Sequence, residues 1–372
     1  MTVSVLVVGR GPAGLLSASY LRQRGFDVTI LADADGTMSM WSGDFGFGRS
    51  ADAFESFPVK LSQSSWVAAF QGLVDIFDSF GVPLRLAPPG VILRTVTATG
   101  NLRPTFAVPA WQYASVDPED LIIVGIAGLA DSIADAQAVS YRNHVRREAI
   151  VVKLTRPPGW DPGWGAIRFA SYLDTRAGLA WFTRELGAQL RHAPRGAPVI
   201  VPQILGLDTT VEIVAHLAGE LGHPIAEFPL LSPSVGGVRI RDRWERSLRR
   251  LGVHFITGRA QRVSPTATAM TDDGREFAAD YVLLATGGVL GGGASVTIDG
   301  AIIDDLVNRE LGKMDDVQSL DRVGHPDIDC IGGGRVLAVG RALGGWNPNK
   351  DHNGGAMVLG SVHMALSMIS ED

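Results

Sequence analysis

With only one cysteine, Cys330, the chain cannot form an internal disulfide or assemble a cysteine-built zinc or iron–sulfur site, and it suits a reducing compartment. No metal is expected, and Cys330 reads as a core residue. Basic excess is also lacking. Thirty-nine acids against 33 bases leave a net charge of -6, so there is no basic field to hold a nucleic acid. An unbroken apolar run is missing too: the most suspicious uncharged window, 281–298, is interrupted by glycines 287, 288, 291, 292 and 293. A membrane span needs roughly 20 apolar residues, so no transmembrane helix is expected. The start of the chain carries neither a basic n-region nor a cleavage pattern, so no signal peptide is expected and the protein reads as cytoplasmic.

What is abundant is glycine and aliphatic residues. Apolar residues make up 46% of 372 positions, enough to bury a large core in two domains or one interrupted domain. The 45 glycines follow no period, which suits repeated close approach of backbone to a ligand. The stretch VSVLVVGRGPAG, residues 3–14, organises the rest. Val3, Val5, Leu6, Val7 and Val8 form a buried strand; Gly9, Gly11 and Gly14 have the G-x-G-x-x-G spacing; Leu15, Leu16, Ala18 and Leu21 recur at helical spacing. Gly9 permits the turn, Gly11 admits a phosphate, and Gly14 lets the helix lie on the strand, with Pro12 and Ala13 opening that helix toward an anion. A nucleotide or flavin is the expected ligand.

A second parallel strand is expected over 26–31. Adenine-dinucleotide sites end this strand with an acid for the ribose. Ala32 stands there instead. Asp33 is one residue late: it reaches the ribose if the strand runs slightly longer, and otherwise is a solvated loop acid. Residues 38–48, MSMWSGDFGFG, read as a loop beneath a ring, with Ser42, Gly43 and Asp44 as polar contacts. Further on, a helix over 66–80, strands ending at Pro109, a strand over 120–126, a strand over 149–154, one helix over 167–190, a strand over 198–203 and a helix over 209–221 alternate as a layered α/β unit. A basic helix carrying Arg239, Arg241, Arg243, Arg246, Arg249 and Arg250 presents mostly a solvated face, with Arg239 and Arg241 nearest the glycines of the preceding turn. The strand 281–284 leads to Thr286 and Gly287, and the strand 336–339 leads to Gly340. Beyond them come Gly344, Gly345 and a last helix opened by Gly354 and Gly355, another seat for an anion.

This order resembles the two-dinucleotide-binding-domain flavoproteins and, more narrowly, the B component of anaerobic glycerol-3-phosphate dehydrogenase. The stretches that carry the likeness are GRGPAGLL (9–16), WSGDFGFG (41–48), TATGNLRPT (97–105), IVGIAGLAD (123–131), SPSVGGVRI (232–240), ATGGVLGGG (285–293) and VGRALGGWNP (339–348). The resemblance implies an α/β fold in which a Rossmann-like flavin-binding domain, residues 1–48 and 232–372, is split by an inserted α/β domain, residues 49–231, for substrate or partner. It implies FMN, with FAD as the alternative. It also implies two partners, a catalytic flavoprotein subunit and an iron–sulfur membrane-associated subunit, in a complex that oxidises glycerol 3-phosphate to dihydroxyacetone phosphate and reduces quinone. Location would then be cytoplasmic, or peripheral at the inner membrane through the partners. Arg341 stands where flavoproteins of this architecture place an acid after the final glycine, which favours a flavin phosphate. His352 is the candidate general base, or a loop histidine capping a helix. Lys350, Arg239 and Arg103 are the candidates for a substrate phosphate. A self-sufficient flavin dehydrogenase or oxidase of a small polar substrate and a non-catalytic scaffold remain alternatives.

Overall fold

The computed structural model describes residues 2–46, 59–88, 91–314, 322–347 and 353–370. Strand Ser4–Val8 turns through Gly9 into helix Pro12–Gln23, which returns the chain to strand Asp27–Ala32. The helix forms because Pro12 pre-sets the first turn and because Leu15, Leu16, Ala18 and Leu21 share a face that is fully buried. Each such leucine contributes roughly 2 kcal/mol by leaving water.

The chain forms two units. The first comprises Met1–Met38, Phe45–Gly81 and Asp242–Asp372. Its sheet has five parallel strands in the order His254–Thr257, Asp27–Ala32, Ser4–Val8, Tyr281–Leu284, Val336–Ala338. The opening strand is thus central, and the chain leaves it first toward one side and later fills the other, so the order reverses beside it. Helix Gln63–Ser79 and the last helix, Gly354–Ser367, belong to this unit, as do two small antiparallel sheets.

The second unit comprises Ser39–Asp44 and Val82–Arg241. Four parallel strands run in the order Ile225–Phe228, Val199–Pro202, Leu121–Ile126, Ala149–Leu154. Its core is separate, built on Ile122, Ile123, Phe169, Phe182, Ile200 and Val201. The fold is α/β with parallel sheets in both units.

The single helix expected over 167–190 is in fact two, Ala166–Leu173 and Arg176–Leu190. Thr175 restarts the second by accepting from the Gly178 amide at 3.0 Å, and Asp174 turns outward to accept from the amides of Leu207 (2.7 Å) and Thr209 (3.1 Å). Apolar periodicity carries across the break and hides it. Cys330 is buried as expected. Among the described residues, no helix is long and apolar enough to cross a membrane, and no group of three His, Cys, Asp or Glu side chains is placed to hold a metal.

Candidate functional site

In the first unit, three strands end side by side at one sheet edge: Val8 lies opposite Leu284, and Leu284 opposite Ala338. The residues that follow are Gly9, Ala285-Thr286-Gly287 and Gly340. Gly9 has φ +115, and a Cβ there would strike the Ala285 carbonyl; a Cβ on Gly14 would strike the Gly9 carbonyl. Gly340, at φ +62, would bring a Cβ within 2.7 Å of the Ala13 methyl, and its amide donates to Ser361 Oγ of the last helix at 2.8 Å. These glycines are required by backbone packing.

Gly11 is different. It has an ordinary φ of -79, and a Cβ on it would meet nothing within 4 Å. No described neighbour demands glycine at this position, so the space beside it is where a ligand can approach. Neither helix starting at this edge has a side-chain cap: Gly11 cannot supply one, and Asn353, the residue before Gly354, does not. Two buried acceptors there lack partners among the described residues, Thr286 Oγ1 and Asn353 Oδ1. Uncapped first turns and orphaned polar atoms are what a bound phosphate and polar ring would satisfy.

Several of the remaining glycines have structural neighbours. Residues 285–293 fold back on themselves, a Cβ on Gly293 colliding with the Gly287 carbonyl. Gly344 lies backbone to backbone against Gly324, and the segment 322–325 holds this loop through His325 N to Ala342 O (2.7 Å), Gly344 N to His325 O (2.9 Å) and Gly345 N to Arg322 O (3.0 Å). Gly355 faces Phe45, which would stand 2.9 Å from a Cβ. Arg341 donates to the carbonyls of Val323 (3.1 Å) and Leu343 (3.4 Å) and lies over Trp346, so its fork binds the loop 322–346 together. Asp33 is exposed. The acid that turns inward is Asp35, paired with Arg10, and its alternation with alanine at 32–35 carries no signal of that role.

Ser42, Gly43 and Asp44 lie in the second unit, where they meet Arg103. The hairpin that presents Arg103 joins strands Leu93–Val96 and Leu102–Thr105 through a turn closed by Gly100, whose φ of +84 only glycine adopts cheaply. Arg103 Nη2 bonds both oxygens of the buried Asp44 carboxylate and Ser42 Oγ (3.1 Å), while its Nε is buried with no acceptor among the described residues. Gln203, fully buried, donates to the Ser42 carbonyl at 3.2 Å and accepts from the Gly236 amide at 3.0 Å.

Arg239 takes no part in this cluster. Its side chain has no solvent exposure, its Nη2 donates to Glu227 at 3.0 Å, Nη1 pairs with the other Glu227 oxygen, and Nε donates to the Gly206 carbonyl at 2.6 Å. It stands as half of a buried ion pair, and a phosphate would have to displace Glu227 to reach it. The sequence clue is Glu227 itself, a lone acid in the apolar run 224–231 ahead of a basic helix. His352 and Lys350 lie outside the described residues.

No protein-family model matches the chain. Curated relatives do. A Halobacterium salinarum protein, named as the probable B component of anaerobic glycerol-3-phosphate dehydrogenase, is 24% identical over 99% of this chain and 97% of its own. The Pectobacterium carotovorum B component is 27% identical over 67% of this chain and 65% of its own, and that of Mannheimia succiniciproducens 23% identical over 87% and 82%. The chain is a homologue of proteins named as the B component of anaerobic glycerol-3-phosphate dehydrogenase. Solved structures resembling this homologue include MibH, a tryptophan 5-halogenase, at TM-score 0.38 and 11% identity, covering 100% of this chain and 67% of that one. The tetrameric form of 2-methyl-3-hydroxypyridine-5-carboxylic acid oxygenase aligns at TM-score 0.37 and 11% identity, covering 100% and 84%.

Proposed function

We propose that this chain is a flavin-binding subunit of a quinone-linked sn-glycerol-3-phosphate dehydrogenase complex, receiving electrons from a catalytic flavoprotein partner, with an iron–sulfur membrane-associated subunit completing the assembly. The observation that carries the flavin reading is the open face of Gly11 at the uncapped start of helix Pro12–Gln23, with the orphaned Thr286 Oγ1 in the loop after the neighbouring strand. The names of the relatives supply the substrate and the subunit role. A bound flavin would contribute reversible two-electron acceptance.

The chain's own residues do the holding. The first-turn amides of helix Pro12–Gln23 face a phosphate, and Gly11 keeps the approach clear. Thr286 and Asn353 accept hydrogen bonds from polar groups of the ring or ribityl chain. FMN is the cofactor proposed, with FAD the alternative. Of the described candidates for a substrate phosphate, Arg103 keeps an unspent buried donor, its Nε, and Asp44 keeps its guanidinium aligned. That donor favours a second reading, a self-sufficient flavin dehydrogenase acting on a small phosphorylated polyol.

One experiment separates these readings. The cofactor is released from the purified protein and weighed, and flavin absorbance is followed on adding glycerol 3-phosphate with and without the catalytic partner. Bleaching only with the partner supports the accessory role; bleaching of the isolated chain supports the second reading. A protein that neither carries nor takes up flavin would overturn both and leave a scaffold.

A further inference from the structure

Arg10 occupies the first variable position of the glycine turn and reaches to the loop that follows strand Asp27–Ala32. There its Nη2 pairs with Asp35, and its Nε stands 3.4 Å from Glu245 Oε1 of helix Val235–Arg250. All three side chains are largely covered, at 22%, 30% and 15% exposure. The same loop closes on the turn: a Cβ on Gly36 would lie 3.4 Å from Gly11 Cα and 3.5 Å from Gly11 N. Gly11 therefore has two unlike sides, one open and one covered by Asp35-Gly36.

The covered side is where the end of the second strand meets the glycine turn, the place from which adenine-dinucleotide sites offer an acid to the adenosine ribose. This chain offers none there. Ala32 has no polar group, Asp33 is exposed, and the carboxylate that turns inward, Asp35, is neutralised by Arg10. An adenosine would have to break the Arg10–Asp35 pair and lift residues 35–36 from Gly11 before its hydroxyls could reach the Asp35 carboxylate. A mononucleotide needs none of this, since its phosphate requires only the helix start and the open side.

We propose that Arg10 and Asp35, backed by Glu245, select a flavin mononucleotide by closing the adenosine half of the site. This rests on the flavin reading above. The full-length protein is freed of flavin and titrated with FMN and with FAD, following quenching of flavin fluorescence. The wild type is expected to prefer FMN by about tenfold or more, and Arg10→Ala and Asp35→Ala to bring the two affinities within about threefold, mainly by strengthening FAD. Glu245→Gln, which leaves the Arg10–Asp35 pair intact, should change the ratio less. Should Arg10→Ala fold poorly, Asp35→Ala carries the test from the more exposed partner. Equal affinities in the wild type, or an FMN preference untouched by either alanine variant, would overturn the selection mechanism. Flat titrations with both flavins would instead overturn the flavin reading on which it rests.

Discussion

His325 Nε2 and Asp304 Oδ2 lie 2.7 Å apart, with both side chains almost wholly out of solvent. Asp304 ends a strand of a small antiparallel sheet and also accepts from the Leu306 amide at 2.9 Å, while the backbone of His325 holds Ala342 and Gly344. The other imidazole nitrogen, Nδ1, is buried without a partner among the described residues. This pair anchors the loop that follows strand Val336–Ala338. Asp304→Ala, which removes the imidazole's described partner, should cost about 2–4 kcal/mol of stability. Chemical denaturation measures that loss, and hydrogen exchange should show amides 343–345 opening first.

Glycines in the opening turn should divide into two classes. Gly9→Ala and Gly14→Ala drive a Cβ into carbonyls, and each should lower stability by about 2 kcal/mol or more. Gly11→Ala enters open space at an ordinary φ and should leave the melting temperature nearly unchanged while weakening flavin binding about tenfold. Thermal melts and flavin titration of the three variants check this together.

The buried Arg239–Glu227 pair predicts an asymmetry. Glu227→Ala alone leaves an uncompensated guanidinium beside Trp111 and should cost about 3–5 kcal/mol, whereas the double change Glu227→Leu with Arg239→Met should cost far less. Urea midpoints of the single and double variants measure the difference.

Burial pushes the Cys330 thiol up to about 12, and nearby Asp304 acts in the same direction. The native protein should therefore react with a thiol reagent on the order of a thousandfold more slowly at pH 8 than the denatured chain. Because the folded value is the raised one, this thiol's contribution to stability is intact below the unfolded value near 9 and is lost as pH climbs from there toward 12. A fall in melting temperature over that window that is reduced in Cys330→Ala checks the sign.

Parallel strands are legible in the sequence because they are continuous aliphatic runs ending in glycine, and the G-x-G-x-x-G turn because each glycine answers a separate steric need. Less legible are contacts that depend on where a loop closes. Asp33 sits one residue beyond the expected place and faces solvent; Asp35, two further, turns inward and pairs with Arg10. Arg341 follows a strand-ending glycine, yet carbonyls of its own loop occupy it. Ser42, Asp44 and Arg103 read from the sequence as separate candidates, one set for cofactor and one for phosphate, and only the turn at Gly100 brings them together. Helix Ala166–Leu173 ends where Asp174 finds backbone amides more than 30 residues away, information that no local window holds.

Strand Ser4–Val8 is made long before the strand Tyr281–Leu284 that covers one of its two edges, so that edge must wait. Ser4 donates to Asp280, 276 residues along the chain, and the strand that pairs with that edge, Tyr281–Leu284, pairs in turn with Val336–Ala338. Between those events the chain leaves the first unit and returns to it twice. During translation at roughly 5–20 residues per second, that half of the central strand stays open for tens of seconds, long enough for a neighbouring chain to pair with it. Yield of the native protein should therefore depend on what shields a nascent edge.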